Sequence, residues 1–242
     1  MSDAQAAAVS TTGGPGLRLI DPARLASADV HAVPFHFLVA RGQLPADAAT
    51  QLAADFPRYP SAGFFPYRAE DCGPSIINVV EAMTAPAFSA ALGAQIDLPD
   101  LADYPPLVTI CRSLNLRHGT IHTDSRSKIA TALLYLCPEW PHGSAASLRF
   151  LNRIDSIDDM AAPEIAPLYG TIAAFKRAHN SFHGHLPFEG ERPVIQVAWL
   201  SSMAELERKT RRGSFSRWLK KLLGSLDGRW GAGRSRDASH DK

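Results

Sequence analysis

His122, Thr123 and Asp124 stand together near the middle of the chain. His183 follows 59 residues after the aspartate, and Arg192 comes nine residues later. Two imidazoles and one carboxylate on a single ion leave coordination positions open, a donor set that suits non-haem Fe(II). A guanidinium at a fixed offset offers a planar fork of donors, the arrangement needed to hold a dicarboxylate cosubstrate. In a strand, residues two apart face the same side about 6–7 Å from one another. His122 and Asp124 can therefore reach one ion from a single strand, and His183 must come from a strand folded back beside it. A barrel of short strands meets that requirement.

The stretches that must build such a barrel are legible from residue 107 onward. Short β-like runs cover residues 107–111, 128–136, 147–151, 171–175 and 194–200, separated by turn residues. That spacing fits a sandwich or barrel. Before them, 17–20 and 35–39 read as strands and 45–56 as a helix stopped by Pro57. Residues 58–67 read as a Gly/Pro/aromatic loop and 85–95 as a second helix. Helices first and strands afterwards give an α+β class: N-terminal helices supporting one face of a barrel. The motif-bearing part is 107–200, within a domain spanning 17–200.

Size and composition bound the function. The 242 residues fit one elaborated domain, 45% hydrophobic, with a formal net charge of +1. No global field favours nucleic acid, and none is expected as a partner. Cys72, Cys111 and Cys137 are too few and too scattered for a disulfide framework or a zinc site, which suggests a reducing cytoplasm. No apolar run approaches the length of a membrane span. Residues 1–16 read as a disordered leader and 231–242 as a disordered tail. Between 201 and 230 lies a basic helical extension. Residues 204–212 are charged; Phe215, Trp218, Leu219, Leu222, Leu223 and Leu226 then form an apolar stripe flanked by Arg217, Lys220 and Lys221. Such a stripe usually packs on the protein's own fold or on another subunit. The second reading is a peripheral membrane or partner contact through 213–226. Oligomeric state leaves no signal in the sequence.

The text around the histidines resembles the Fe(II)/2-oxoglutarate-dependent dioxygenases, in particular their prolyl-4-hydroxylase-like branch. The matching stretches are HTDSRSKIATALLYLCPEW, SLRFL and IAPLYGTIAAFKRAHNSFHGHLPFEGERPVIQVAWL. After the HxD tripeptide that branch has a TxxxYLxxxW strand, here Thr131, Tyr135, Leu136 and Trp140. A GGxLRxF element follows, here Ala145 to Leu151 with alanines for the glycines and leucine in the last place. Pro167, Gly170 and Phe175 match the next strand, and His183, Pro187 and Arg192 match the last.

The resemblance implies a double-stranded β-helix, also called a jelly-roll or cupin-like barrel. It implies His122, Asp124 and His183 as iron ligands, and Arg192 and Tyr135 on the distal carboxylate of 2-oxoglutarate. Thr131 faces the same way as Tyr135 and is a further pocket candidate. The implied reaction consumes O2 and 2-oxoglutarate, hydroxylates an unidentified substrate (peptidyl proline, sugar, lipid or small metabolite) and releases succinate and CO2. Ascorbate is the candidate reductant. The proline and arginine offsets favour His183 over His185, which reads as a pocket residue behind the ligands. Arg112 stands where hypoxia-sensing relatives place a tyrosine, so it either faces the cosubstrate or an anionic substrate or ends a strand in solvent. Asn115 and Arg126 are pocket-edge candidates. Phe64, Phe65, Tyr67 and Trp140 offer stacking surface at a mouth formed by 59–75, 125–127 and 140–147. The alternative is a metal-binding cupin-like barrel acting as a binding module, against which the late arginine discriminates.

Overall fold

The computed structural model describes residues 19–211. Its centre is an antiparallel sheet of seven strands: β1 (Asp29–His31), β2 (Phe37–Ala40), β3 (Phe64–Pro66), β4 (Pro106–Leu114), β5 (Lys128–Tyr135), β7 (Thr171–Lys176) and β9 (Gly190–Leu200). They lie in the order β1-β2-β7-β5-β9-β4-β3. A second, smaller layer pairs β6 (Arg149–Phe150) with β8 (His183–Gly184). Single bridges extend it: His122 to His183 on one side, Leu148 to Ile165 and Leu151 to Met160 on the other.

Alternation along the strands sorts their side chains between two cores. From β5, Ala130, Ala132 and Leu134 face the helices, as do Ile195, Val197 and Trp199 from β9. Against them lie α1 (Ala49–Asp55), α2 (Pro74–Thr84) and α3 (Pro86–Gln95). Helix α2 presents Ile76, Val79, Val80 and Met83 to this core, one stripe at helical period. Trp199 is fully buried, and its indole N–H donates to Ser89 Oγ on α3 at 3.0 Å. The opposite faces of the same strands supply Leu133, Tyr135, Phe175 and Val194, which meet Leu148, Phe150 and Ile165 of the small layer.

Several expectations need correction. Residues 19–20 are irregular rather than strand, with Ile20 buried in the helix-side core, while 17–18 lie outside the described residues. The strand expected at 35–39 is displaced to Phe37–Ala40, where it pairs with β7. Helix α2 was not foreseen; Ile76, Ile77, Val79 and Val80 lack the polar side chains that mark an amphipathic boundary. The element expected at 147–151 shrinks to two strand residues, and β9 begins four residues earlier than expected. No closed barrel forms among the described residues. The large sheet and the small layer face one another without continuous hydrogen bonding, because β6 and β8 are only two residues long. The fold is thus mixed helix and antiparallel sheet with jelly-roll layering. Residues 203–211 are helical, in line with the helix expected over 204–212, whose last residue lies outside the described residues. The leader, the apolar stripe at 213–226 and the tail lie outside the described residues.

Candidate metal centre

His122 and His183 exchange backbone hydrogen bonds, each N–H donating to the other's carbonyl at 3.0 Å. That single bridge sets the imidazoles side by side with ring centroids 4.4 Å apart. The turn leading in is tight. A side chain on Gly119 (φ +102°) would place its Cβ 2.5 Å from the His185 ring and carbonyl, so glycine is required there. His122 and Asp124 sit in an irregular segment rather than the expected strand, yet the three side chains converge. One ligand atom from each of His122, Asp124 and His183 lies within 4.8 Å of the others.

Backbone carbonyls choose the tautomers. His122 Nδ1 lies 2.8 Å from the Thr120 carbonyl and His183 Nδ1 2.9 Å from the Ser181 carbonyl. A carbonyl only accepts, so each Nδ1 carries its hydrogen and each Nε2 keeps a lone pair for a metal. Burial, reinforced by neighbouring His122, lowers the pKa of His183 to about 4. The imidazole is therefore neutral, the form that ligates.

Asp124 is buried, which alone would raise its pKa. The Lys128 ammonium, His183 and two hydrogen bonds outweigh that and hold it well below the ordinary carboxylate range. Lys128 Nζ donates to Oδ1 at 2.6 Å and Thr131 Oγ1 to Oδ2 at 2.5 Å. Thr131 therefore holds the Asp124 carboxylate of the candidate metal group, a more specific contact than lining a pocket. Sequence reasoning missed Lys128; its place four residues after Asp124, opening β5, was the available signal.

Arg192 is 3% exposed. Its guanidinium lies over the Tyr135 ring, 4.9 Å from the centroid, and one terminal nitrogen donates to Tyr135 Oη at 3.2 Å. Among the described residues Nε has no hydrogen-bond partner and no carboxylate pairs with this cation. A buried guanidinium without an anion is costly, so the position fits an anionic ligand. His185 feels the charge of both Arg192 and His122. Burial, then Arg192, His118 and His122, lower its pKa to about 4, and its Nδ1 lies 2.8 Å from the Leu186 carbonyl.

Other candidates are placed elsewhere. Arg112 sits at a β4 bulge and pairs with Glu191 at 3.0 and 3.2 Å, turned away from the pocket. Trp140 donates to the Ala145 carbonyl at 3.0 Å and packs against His142 and Phe188. Asn115 Oδ1 accepts from the Arg117 N–H at 3.1 Å, a turn contact. Phe65 is buried on Tyr59 and Tyr67 packs on the helix-side core, leaving Phe64 as the exposed member of the three. Arg126 is exposed beside Asp124 and lines a cleft there.

The donor set of two imidazoles and one carboxylate fits Fe(II) with open positions. No protein-family model and no curated protein matches the chain. Solved structures to which it is similar are prolyl-4-hydroxylases and 2-oxoglutarate–Fe(II) oxygenases. A prolyl-4-hydroxylase from Pseudomonas putida shares 18% identity over 74% of this chain and 88% of its own, with a TM-score of 0.48. The viral collagen prolyl hydroxylase of Paramecium Bursaria Chlorella virus-1, a 2-oxoglutarate complex, shares 15% over 69% and 96%, at 0.47. HygX from Streptomyces hygroscopicus, with nickel and 2-oxoglutarate bound, shares 12% over 69% and 83%, at 0.46. The functional reading rests on the side chains described above.

Proposed function

We propose that the protein is an Fe(II)- and 2-oxoglutarate-dependent dioxygenase that hydroxylates an organic substrate, releasing succinate and CO2. One observation carries this reading: a three-donor group, with Asp124 and His183 buried and His122 half-buried, and a buried guanidinium without a carboxylate partner among the described residues are both held by side chains on one face of β5. Thr131, on Asp124, and Tyr135, on Arg192, are four residues apart, so about 13 Å of strand separates them. A five-carbon dicarboxylate gripped at both ends suits that span.

Iron with 2-oxoglutarate and O2 supplies the oxidising chemistry when bound, with ascorbate as the reductant that keeps the iron ferrous. The chain's own residues do the rest. His122, Asp124 and His183 hold the metal through atoms already oriented by Thr120, Ser181, Lys128 and Thr131. Arg192 and the Tyr135 hydroxyl take the distal carboxylate of the cosubstrate. Phe175, whose ring centroid lies 4.5 Å from that of His183, screens that side of the metal group from water.

Anaerobic titration with Fe(II) and 2-oxoglutarate tests the reading. A weak visible charge-transfer band that requires both components and disappears in His183→Ala is expected. Iron binding with no response to 2-oxoglutarate would return the site to a metal-binding barrel of other function.

A further inference from the structure

Beside the metal centre, a cleft of about 550 Å³ opens where residues 125–127, 177–179 and the helix at 203–211 come together. Asp124 forms part of its wall, and its backbone carbonyl faces Arg177 there, so the cleft and the metal group share a residue. That volume falls in the range of small-molecule sites. Its lining is unusual for such a site, because all ten residues are polar or charged.

The charges are unbalanced. Arg126, Arg177 and Arg208 line the cleft against Asp124 and Glu205. Both carboxylates are engaged: Asp124 with Lys128 at 2.6 Å, and Glu205 with Arg208 at 2.6 Å. Lys209 adds a further cation, with Nζ 3.2 Å from Ser125 Oγ. Burial, then Lys128 and Arg208, lower its pKa, which marks crowded positive charge. Arg177 uses Nε on the Asp124 carbonyl at 3.3 Å. Among the described residues, neither Arg126 nor Arg177 pairs with a carboxylate, so two guanidiniums border the cleft without a counter-charge. Convergent guanidiniums of this kind select carboxylate or phosphate. An apolar peptide segment or an acyl chain finds no apolar wall.

We propose that this cleft receives the substrate of the oxygenase reaction, and that the substrate is a small hydrophilic compound whose carboxylate or phosphate docks on Arg126 and Arg177. The inference rests on the function proposed above. Anchoring there holds the rest of the molecule against Asp124, beside the metal, while Arg192 stays reserved for the cosubstrate.

Calorimetry on the anaerobic protein, saturated with Fe(II) and 2-oxoglutarate so that Arg192 is engaged, tests the cleft with three matched probes: glycerol, glycerate and glycerol 3-phosphate. Binding of glycerate or glycerol phosphate without glycerol is expected, and which anion binds tighter names the acidic group. Arg126→Gln and Arg177→Gln should each weaken that binding about tenfold, the worth of one charge-assisted contact. The charge-transfer band should persist in Arg126→Gln, whose side chain is exposed and makes no contact with the metal ligands. Equal binding of glycerol, no binding of either anion, or unweakened anion binding in both variants overturns the proposal. Absence of the band in the unaltered protein instead defeats the oxygenase reading, and anion binding is still scored separately.

Discussion

The two faces of the large sheet use the same strands for different ends. On β5, Ala130, Ala132 and Leu134 point into a core of helices, whereas Thr131, Leu133 and Tyr135 point toward the small layer and the site. The helix-backed face is almost wholly apolar, with the Trp199–Ser89 hydrogen bond inside it, and depends mainly on volume and shape. The other face holds Thr131 and Arg192, both nearly inaccessible to solvent, and gives each a defined polar task. Alternation thus lets one strand be scaffold and active surface at once. Substitutions one residue apart should then separate stability from chemistry.

The largest separation should come from the ligands. His122→Ala or Asp124→Ala is expected to abolish turnover while leaving the fold intact, measured as succinate release alongside circular dichroism. Leu134→Ala, on the helix side, should do the reverse. It costs about 2–5 kcal/mol in denaturant unfolding, as for other buried leucines, with the metal band unchanged at temperatures where the protein is folded. A Leu134 variant that loses the band while folded would break the division of faces. Arg192→Ala comes next: about a hundredfold more 2-oxoglutarate should be needed for half-maximal rate, from loss of charged hydrogen bonds to a carboxylate. An unchanged requirement removes Arg192 from the cosubstrate site.

The site face was more legible in the sequence than the scaffold. The cluster of His122, Asp124 and His183 and the buried Arg192 stand out because the proposed chemistry restricts both residue type and spacing, and the shared face of Thr131 and Tyr135 follows from strand period. Helix α2 escaped notice since packing tolerates many aliphatic sequences, and its Ile and Val residues read equally well as strand. The small layer was overestimated for a different reason. Its segments carry strand-like composition, but bridges at single residues, rather than long ladders, hold them. Arg112 was ambiguous because its partner, Glu191, is 79 residues away and becomes adjacent only through β4–β9 pairing. The cationic cleft was also hidden, since Arg126, Arg177 and Arg208 come from three separate segments.

Smaller effects sharpen the site face further. Thr131→Val removes one of two hydrogen bonds to the Asp124 carboxylate without changing volume, so iron affinity should fall about tenfold. A tenfold change in the 2-oxoglutarate requirement, with iron affinity unaltered, would instead make Thr131 a cosubstrate contact. Acid should also act through this face. His183 and His185 have folded pKa values near 4, below the roughly 6.5 of an unfolded histidine. Between those limits the unfolded chain binds more protons, so the metal-free protein should lose stability as pH falls from about 6.5 to about 4. His185→Gln should flatten that dependence, read from melting temperature against pH; an unaltered slope would show that His185 is not buried in neutral form.

Arg112→Ala should have the least effect of all. Its ion pair with Glu191 joins β4 to β9 near the rim, with Glu191 largely exposed. Solvent weakens such a pair, and its removal should change stability by no more than about 1 kcal/mol. Arg112 turns away from the site face, as alternation along β4 requires, because Cys111, its neighbour in sequence, lies in the core on the site side. The bulge between Cys111 and Ser113 interrupts the register there, and Arg112 reaches Glu191 and the Phe56 carbonyl instead. The 2-oxoglutarate requirement and the charge-transfer band should both be unchanged. A marked rise in that requirement would mean that the pair with Glu191 opens on cosubstrate binding, and that the rim of the sheet belongs to the site face after all.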